Sequence, residues 1–420
     1  MRILFCKNSF AGPISGADEI AVNYAIKLKA AGQTASVLLV QTPPASHPLV
    51  QRLRADEVPL DTLASSTFST SLDTARRIAI RAMRVFSPAS NLILSNSRKV
   101  VFNLLQQYHR ACCEYLERTR PDVMHVLTPD PGAVMLIRAA HETKIPVVYQ
   151  EVGIPFHPPG FEAMYQRFVS VLPLCAEVTA LSPALVQELH RVLPHIGPSK
   201  VLPLMCPDHN GVPAQHRNSK MVSYGFAARL EYLKGPLRLL EAFRIAHQTY
   251  PAIELRLAGE GSQRQEFIDN SRKAGLEQKC QLLGVYKTLQ ERDAFMNSFD
   301  VFVLPSLTEG TPNVIVEAMA QSKPIIATAV GGVPDLVTND VGLLVPADDV
   351  QALADAMVLL ARDSDLRKKM GIAARKRYEE LFAPDVVLPV LVAFYERIVG
   401  VDSSLGNGHG SRLRMHPWID

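Results

Sequence analysis

The sequence predicts an α/β protein built from two doubly wound domains that face each other across a cleft. Three observations carry this. Short apolar runs alternate with helical patterns almost throughout. The alternation comes in two series, one before residue 200 and one after residue 220. Between them Val201–Asn218 is polar and full of chain breakers, with Pro203, Pro207, Asn210, Gly211 and Pro213, which reads as a linker.

In the first series, Ile3–Cys6 is a short apolar strand. Ala17–Ala31 is a helix with Ile20, Tyr24 and Leu28 on one face, and Gly32 ends it. Ala35–Val40 is the next strand, which completes a βαβ unit. The pattern returns as strand Val123–Leu127, helix Gly132–His141 and strand Pro146–Tyr149. The second series opens with strand Val222–Phe226, helix Leu237–Gln248, strand Ile253–Ala258 and helix Gln263–Ala274. Strands Gln281–Gly284 and Asp300–Leu304 follow, then helix Pro312–Ala320 and strand Pro324–Thr328. Helices Ala352–Ala361 and Asp365–Leu381 close it. Strands alternating with helices imply parallel sheets covered on both faces, which take ligands at the carboxyl ends of their strands. The division is 1–205, 206–400 with a last helix able to pack back on the first domain, and a Ser- and Gly-rich tail at 401–420 that reads as disordered.

Composition agrees. A chain of 420 residues calls for two or three domains. With 47% apolar and 20% charged residues it is not a disordered chain. The 44 basic and 41 acidic residues leave +3, too little for a general nucleic-acid binder. No stretch approaches the ~18 apolar residues of a membrane span. The opening run Met1–Cys6 breaks at Lys7 and is too short for a signal peptide, so a cytoplasmic chain is expected. Six cysteines without a C-x-x-C pair signal neither a zinc site nor a disulfide framework. Thr74–Cys113 stands apart: it holds Arg76, Arg77, Arg81, Arg84, Arg98, Lys99 and Arg110 and no acid. It reads either as a solvated basic face or as a peripheral contact with an anionic membrane at 74–113.

Chemistry concentrates in three places. Glu309-Gly310-Thr311-Pro312-Asn313-Val314, continuing to Glu317, follows a strand and opens a helix. Backbone N–H groups from Gly310 to Val314 are unpaired at such a helix start and can meet a diphosphate or a sugar oxygen. Carboxylates at Glu309 and Glu317 can accept hydroxyls from two ends of a ligand. Arg229 and Lys234, also after a strand, form a candidate phosphate clamp beside Gly235. The loop Gly12–Gly16 lets backbone approach a phosphate at a helix N-terminus. Asp363-Ser-Asp365 has the form of a D-x-D metal motif, but it precedes a helical run and reads as a cap.

Together these features resemble the family-four glycosyltransferases, retaining enzymes of the GT-B fold. The resemblance rests on Ala228-Arg229-Leu with Lys234-Gly235, Leu257-Ala-Gly-Glu-Gly261, Leu283-Gly284 and Asp300–Ser306. It continues through Glu309-Gly-x6-Glu317-Ala318, Pro324–Thr328, Gly331-Gly-Val-Pro-Asp335 and Gly342–Pro346. It implies a C-terminal domain that binds a nucleotide-sugar donor and an N-terminal domain that binds a glycan, lipid-linked or small-molecule acceptor. It further implies that Arg229 and Lys234 stabilise the leaving diphosphate, that Glu309 contacts the donor sugar and that Glu317 binds the ribose hydroxyls. Gly16 would reach the diphosphate, and Leu283, Gly284 and Tyr286 would lie beside the base. No metal or other cofactor is expected. The N-terminal half departs from the family pattern. His125 is followed by Leu127 where the family often has a second histidine, and the next strand ends Tyr149-Gln150-Glu151. His125 and Glu151 are the acceptor-side candidates. The alternatives are a non-catalytic sugar-nucleotide-binding subunit and an epimerase on the same scaffold.

Overall fold

The computed structural model describes residues 1–10, 16–63, 106–127, 129, 131–153, 162–207, 221–400 and 416–418. Two parallel sheets form the frame. The first contains β1 (Arg2–Lys7), β2 (Thr34–Leu39), β3 (Leu60–Thr62), β4 (Val123–Leu127), β5 (Val147–Glu151), β6 (Glu177–Ala180) and β7 (Lys200–Val201), in the order β3-β2-β1-β4-β5-β6-β7. The second contains β8 (Val222–Ala227), β9 (Ile253–Ala258), β10 (Cys280–Leu282), β11 (Val301–Leu304), β12 (Ile325–Thr328) and β13 (Gly342–Val345), in the order β10-β9-β8-β11-β12-β13. The strand order reverses between β1 and β4 and again between β8 and β11. Open parallel sheets leave a crevice at such switch points.

Local chemistry explains the elements. β4, β5 and β8 are buried along their whole length, so they are mostly apolar and show no alternation. The Gly16–Ala30 helix carries Asp18 and Glu19 in its first turn and Lys27 and Lys29 in its last, each complementing the helix dipole. Ser182, Thr288 and Asp349 cap the helices that follow them. Asp363 does the same, its Oδ1 accepting from the Leu366 N–H at 2.8 Å. The Asp363-Ser-Asp365 run is therefore an N-cap, as the sequence reading has it.

The periodicity misses β3, β6 and β7, which are too short to show a pattern. It also misses the helices Pro48–Ala55, Glu162–Val169 and Pro183–Val192, and it gives no bounds for the expected last helix, Pro384–Val399. The last of these returns from the second sheet and packs on the Gly16–Ala30 helix and β4. One continuous core thus holds Phe5 and Tyr24 of the first half, Phe299 and Leu304 of the second, and Val387, Leu391 and Tyr395 of the returning helix. Of the 401–420 tail expected to be disordered, only 416–418 are among the described residues, and these are packed in place. His416 bonds to the Leu381 carbonyl at 2.9 Å, and Trp418 packs edge-on against Phe382. The 11–15 loop, most of the basic 74–113 segment and the 208–220 part of the linker lie outside the described residues. No helix among the described residues is long and apolar enough to cross a membrane.

Candidate functional site at the domain cleft

Two loops leave the carboxyl ends of the adjacent strands β8 and β11 and converge. After β8 a single turn, Tyr232–Lys234, is closed by Gly235 with φ +73°. A Cβ at Gly235 would lie 2.4 Å from the Pro305 carbonyl, so only glycine lets the two loops touch. This contact brings Lys234 Nζ to 2.6 Å from Glu309 Oε1. Ser306 donates its hydroxyl to the same oxygen, also at 2.6 Å. Glu309 is buried and Lys234 half-buried, while Arg229 is exposed at the end of β8. A third loop supports the pair from beneath: Gly332 N–H donates to the Gly310 carbonyl at 2.8 Å. Gly331 has φ +53° and lies so close to Glu309 that a Cβ would meet its carbonyl at 1.8 Å.

The first domain closes over this site. A Cβ on Gly310 would lie 2.8 Å from the Val152 carbonyl and 2.9 Å from Gly153 Cα. Asn313, which begins the Asn313–Ala320 helix, donates its amide to the Gly16 carbonyl at 2.9 Å. The Ala184 N–H donates to Asp335 Oδ2 at 2.7 Å. Among the sequence-predicted donor residues, the cleft therefore gathers Gly16, Lys234, Glu309, Gly310, Thr311, Pro312, Asn313, Val314 and Glu317. Thr311 Oγ1 is buried with no protein partner. Leu283 is exposed beside Gly284, which has φ +72°. Tyr286 lies further in against Phe295, and burial followed by the nearby Glu317 carboxylate holds its hydroxyl well above the usual range.

Behind the helix lies a group of buried charges that no sequence motif marks. Glu317 Oε1 takes Arg292 Nη1 at 3.3 Å, and the same nitrogen is 3.7 Å from Glu19 Oε1 of the first domain. Arg52 reaches Glu19 at 3.1 Å and donates to Asn23 Oδ1 at 2.6 Å. The four charges alternate in sign. The Glu317 carboxyl is pushed up to about 7, chiefly by burial and further by Glu19, with Arg292 opposing both. Burial alone would depress the Arg292 guanidinium, but Glu317 and Glu19 hold it above its ordinary value. Glu317 Oε2 faces no donor. A second buried pair, Lys7 with Asp18 at 3.0 Å, ties the end of β1 to the Gly16–Ala30 helix.

The two acceptor-side candidates, His125 and Glu151, are both buried. His125 has no exposed surface. Its Nδ1 meets the Tyr395 hydroxyl at 2.6 Å, and its ring packs against Phe5 and Tyr24. It faces the returning helix Pro384–Val399. Desolvation lowers it to about 3, and it stays neutral. Glu151 is also buried. It accepts from the Tyr149 hydroxyl at 2.6 Å and the Gly153 N–H at 3.0 Å, which shapes the Val152–Gly153 turn that meets Gly310. Away from the cleft, His109, Cys113 and Glu142 bring three ligand-type atoms within 4.8 Å of one another.

Residues 213–377 match the glycosyl transferases group 1 family, and this stretch contains Arg229, Lys234, Glu309 and Glu317. CapM of Staphylococcus aureus, a capsular polysaccharide biosynthesis glycosyltransferase, is 31% identical over 172 residues, 41% of this chain and 45% of that protein. The chain thus spans about half the length of that curated relative. Among solved structures, sucrose-phosphate synthase from Thermosynechococcus elongatus is similar with a TM-score of 0.72 at 18% identity, covering 95% of this chain and 100% of that one. HepE from Anabaena in complex with UDP is similar with a TM-score of 0.69 at 20% identity, covering 94% and 100%. These likenesses establish the fold: the group 1 domain and the domain facing it form a GT-B fold.

Proposed function

We propose that the protein is a retaining glycosyltransferase that moves a sugar from a nucleotide-sugar donor to a hydroxyl of a glycan, lipid-linked or small-molecule acceptor, without a bound metal. The observation that carries this is the Lys234–Glu309 pair, closed at 2.6 Å at the joined ends of β8 and β11 inside the group 1 motif series. Negative charge builds on the diphosphate as the glycosidic bond breaks. Lys234 and the exposed Arg229 are the cations at hand to offset it. Backbone N–H groups at the start of the Asn313–Ala320 helix add positive potential. Glu309, held by Lys234 and Ser306, is fixed where a carboxylate can accept sugar hydroxyls. The polysaccharide role in the name of CapM and the UDP in the HepE structure support the substrate classes.

The test is a panel of UDP-, GDP- and ADP-sugars with product analysis. Wild type is expected to release nucleotide and to retain the anomeric configuration in any product. Lys234→Ala is expected to lower the rate by about 100-fold or more, the scale of losing one transition-state charge partner. An unchanged rate in that variant, or an epimerised nucleotide-sugar as the product, would overturn the reading.

A further inference from the structure

We infer that Arg292 and Glu19 are positioning residues that assemble the nucleotide side of the donor site only when the two domains are closed. This rests on the glycosyl-transfer reading of the cleft. The residues span the interface: Glu19 and Arg52 belong to the first domain, Arg292 and Glu317 to the second. Arg292, Glu19 and Glu317 are all buried. Arg292 holds one carboxylate from each domain on a single nitrogen, at 3.3 Å and 3.7 Å.

Arg292 engages one oxygen of Glu317 and the other, Oε2, has no donor from the protein, while the Glu19 carboxyl also lies within hydrogen-bonding reach of Glu317. A buried carboxylate oxygen with no donor is costly unless a ligand supplies one. The donor that would satisfy it is a hydroxyl of a nucleoside diphosphate seated against the Asn313–Ala320 helix. Glu19 never touches that ligand. It acts by holding Arg292, and Arg52 holds Glu19 in turn, so an opened cleft removes the second anchor of Arg292.

The groups that face Glu317 set its protonation. Arg292 favours the anion, while Glu19 and Asp293 oppose it. Tyr286 lies in the same enclosure, and the Cys206 thiol lies near Arg292. Removing Arg292 and removing Glu19 must therefore move the pH dependence of nucleotide binding in opposite directions. Without Arg292 the carboxyl keeps its proton to higher pH. Without Glu19 it gives up the proton at lower pH.

The experiment is calorimetric titration of the full chain with whichever of UDP, GDP or ADP wild type binds, from about pH 6 to about pH 8.5. Arg292→Gln is expected to weaken binding about 10-fold near neutral pH, with part of the loss recovered at the alkaline end. Arg292→Lys, which keeps the charge, should stay nearer wild type. Glu19→Gln should weaken binding while moving the pH profile toward acid. Melting temperatures measured alongside show whether each variant folds. Unchanged affinity and pH profile in both variants would overturn the inference, as would parallel losses with no shift in profile. If wild type binds no nucleoside diphosphate, the glycosyl-transfer reading fails first and this inference with it.

Discussion

His125 shows what a single side chain can hide. In the sequence it is a histidine within a strand that leads to the cleft. In the structure it is neutral and sealed by Tyr395 from 270 residues away. A period of two tells which residues share a face of a strand, but not which element covers that face. The burial has a measurable consequence. The folded-state value is about 3 against an ordinary 6.5. The unfolded chain therefore takes up a proton as pH falls below 6.5 while the folded chain does not, and stability is lost in that window. From about pH 7 to about pH 5 this group alone should withdraw about 2 kcal/mol. His125→Gln lacks the titration, so the gap in unfolding free energy between wild type and variant should narrow by that amount. Urea unfolding at the two pH values checks this, and a constant gap would count against it. Lys234 and Glu309 are the opposite case, legible because their loops are marked by glycines and proline. Arg292 was not legible, since an arginine in the Leu289–Met296 helix looks like any solvated one until the other domain is placed.

At the scale of elements, the glycines of the cleft divide into two kinds. Gly331 is needed by its own backbone, with φ +53° and no room for a Cβ beside Glu309. Gly310 is not in the left-handed region and is needed only because Val152 and Gly153 of the other domain come close. The motif shows both in the same way, as a glycine in a turn, but alanine should separate them. Gly331→Ala should destabilise the protein by more than ~1 kcal/mol, because backbone strain and clash add. Gly310→Ala should lower the melting temperature less than Gly331→Ala does, having the clash but no φ strain, while sugar transfer falls by about 10-fold or more, because a methyl group there pushes the domains apart. Thermal unfolding and rate measurements on the two variants decide it. A Gly310→Ala protein with wild-type rate would mean that this contact does not position the reacting groups.

For the whole molecule, the question is whether two domains read from two sequence series behave as two units. That both sheets are parallel followed from the alternation of strands and helices, while the strand order within each is read from the structure. The returning Pro384–Val399 helix was named only as able to pack back, because its apolar faces do not say what they will meet. In the structure that helix joins the halves. Its Val387, Leu391 and Tyr395 share one continuous core with Phe5 and Tyr24 of the first sheet's domain and with Phe299 and Leu304 of the second. A core shared in this way couples the stability of both domains, so unfolding should follow a single transition despite the length of the chain. Leu391 is fully buried in that core. Leu391→Ala removes its contacts to both sides and should cost about 2–5 kcal/mol. The decisive feature is the shape of the calorimetric trace. One endotherm that moves down as a whole is expected. If the trace splits and the second domain's portion melts where it did before, the helix belongs to the first domain alone. The cleft would then be held, among the described residues, by contacts such as those at Gly16, Gly310, Ala184 and Arg292 rather than by that helix.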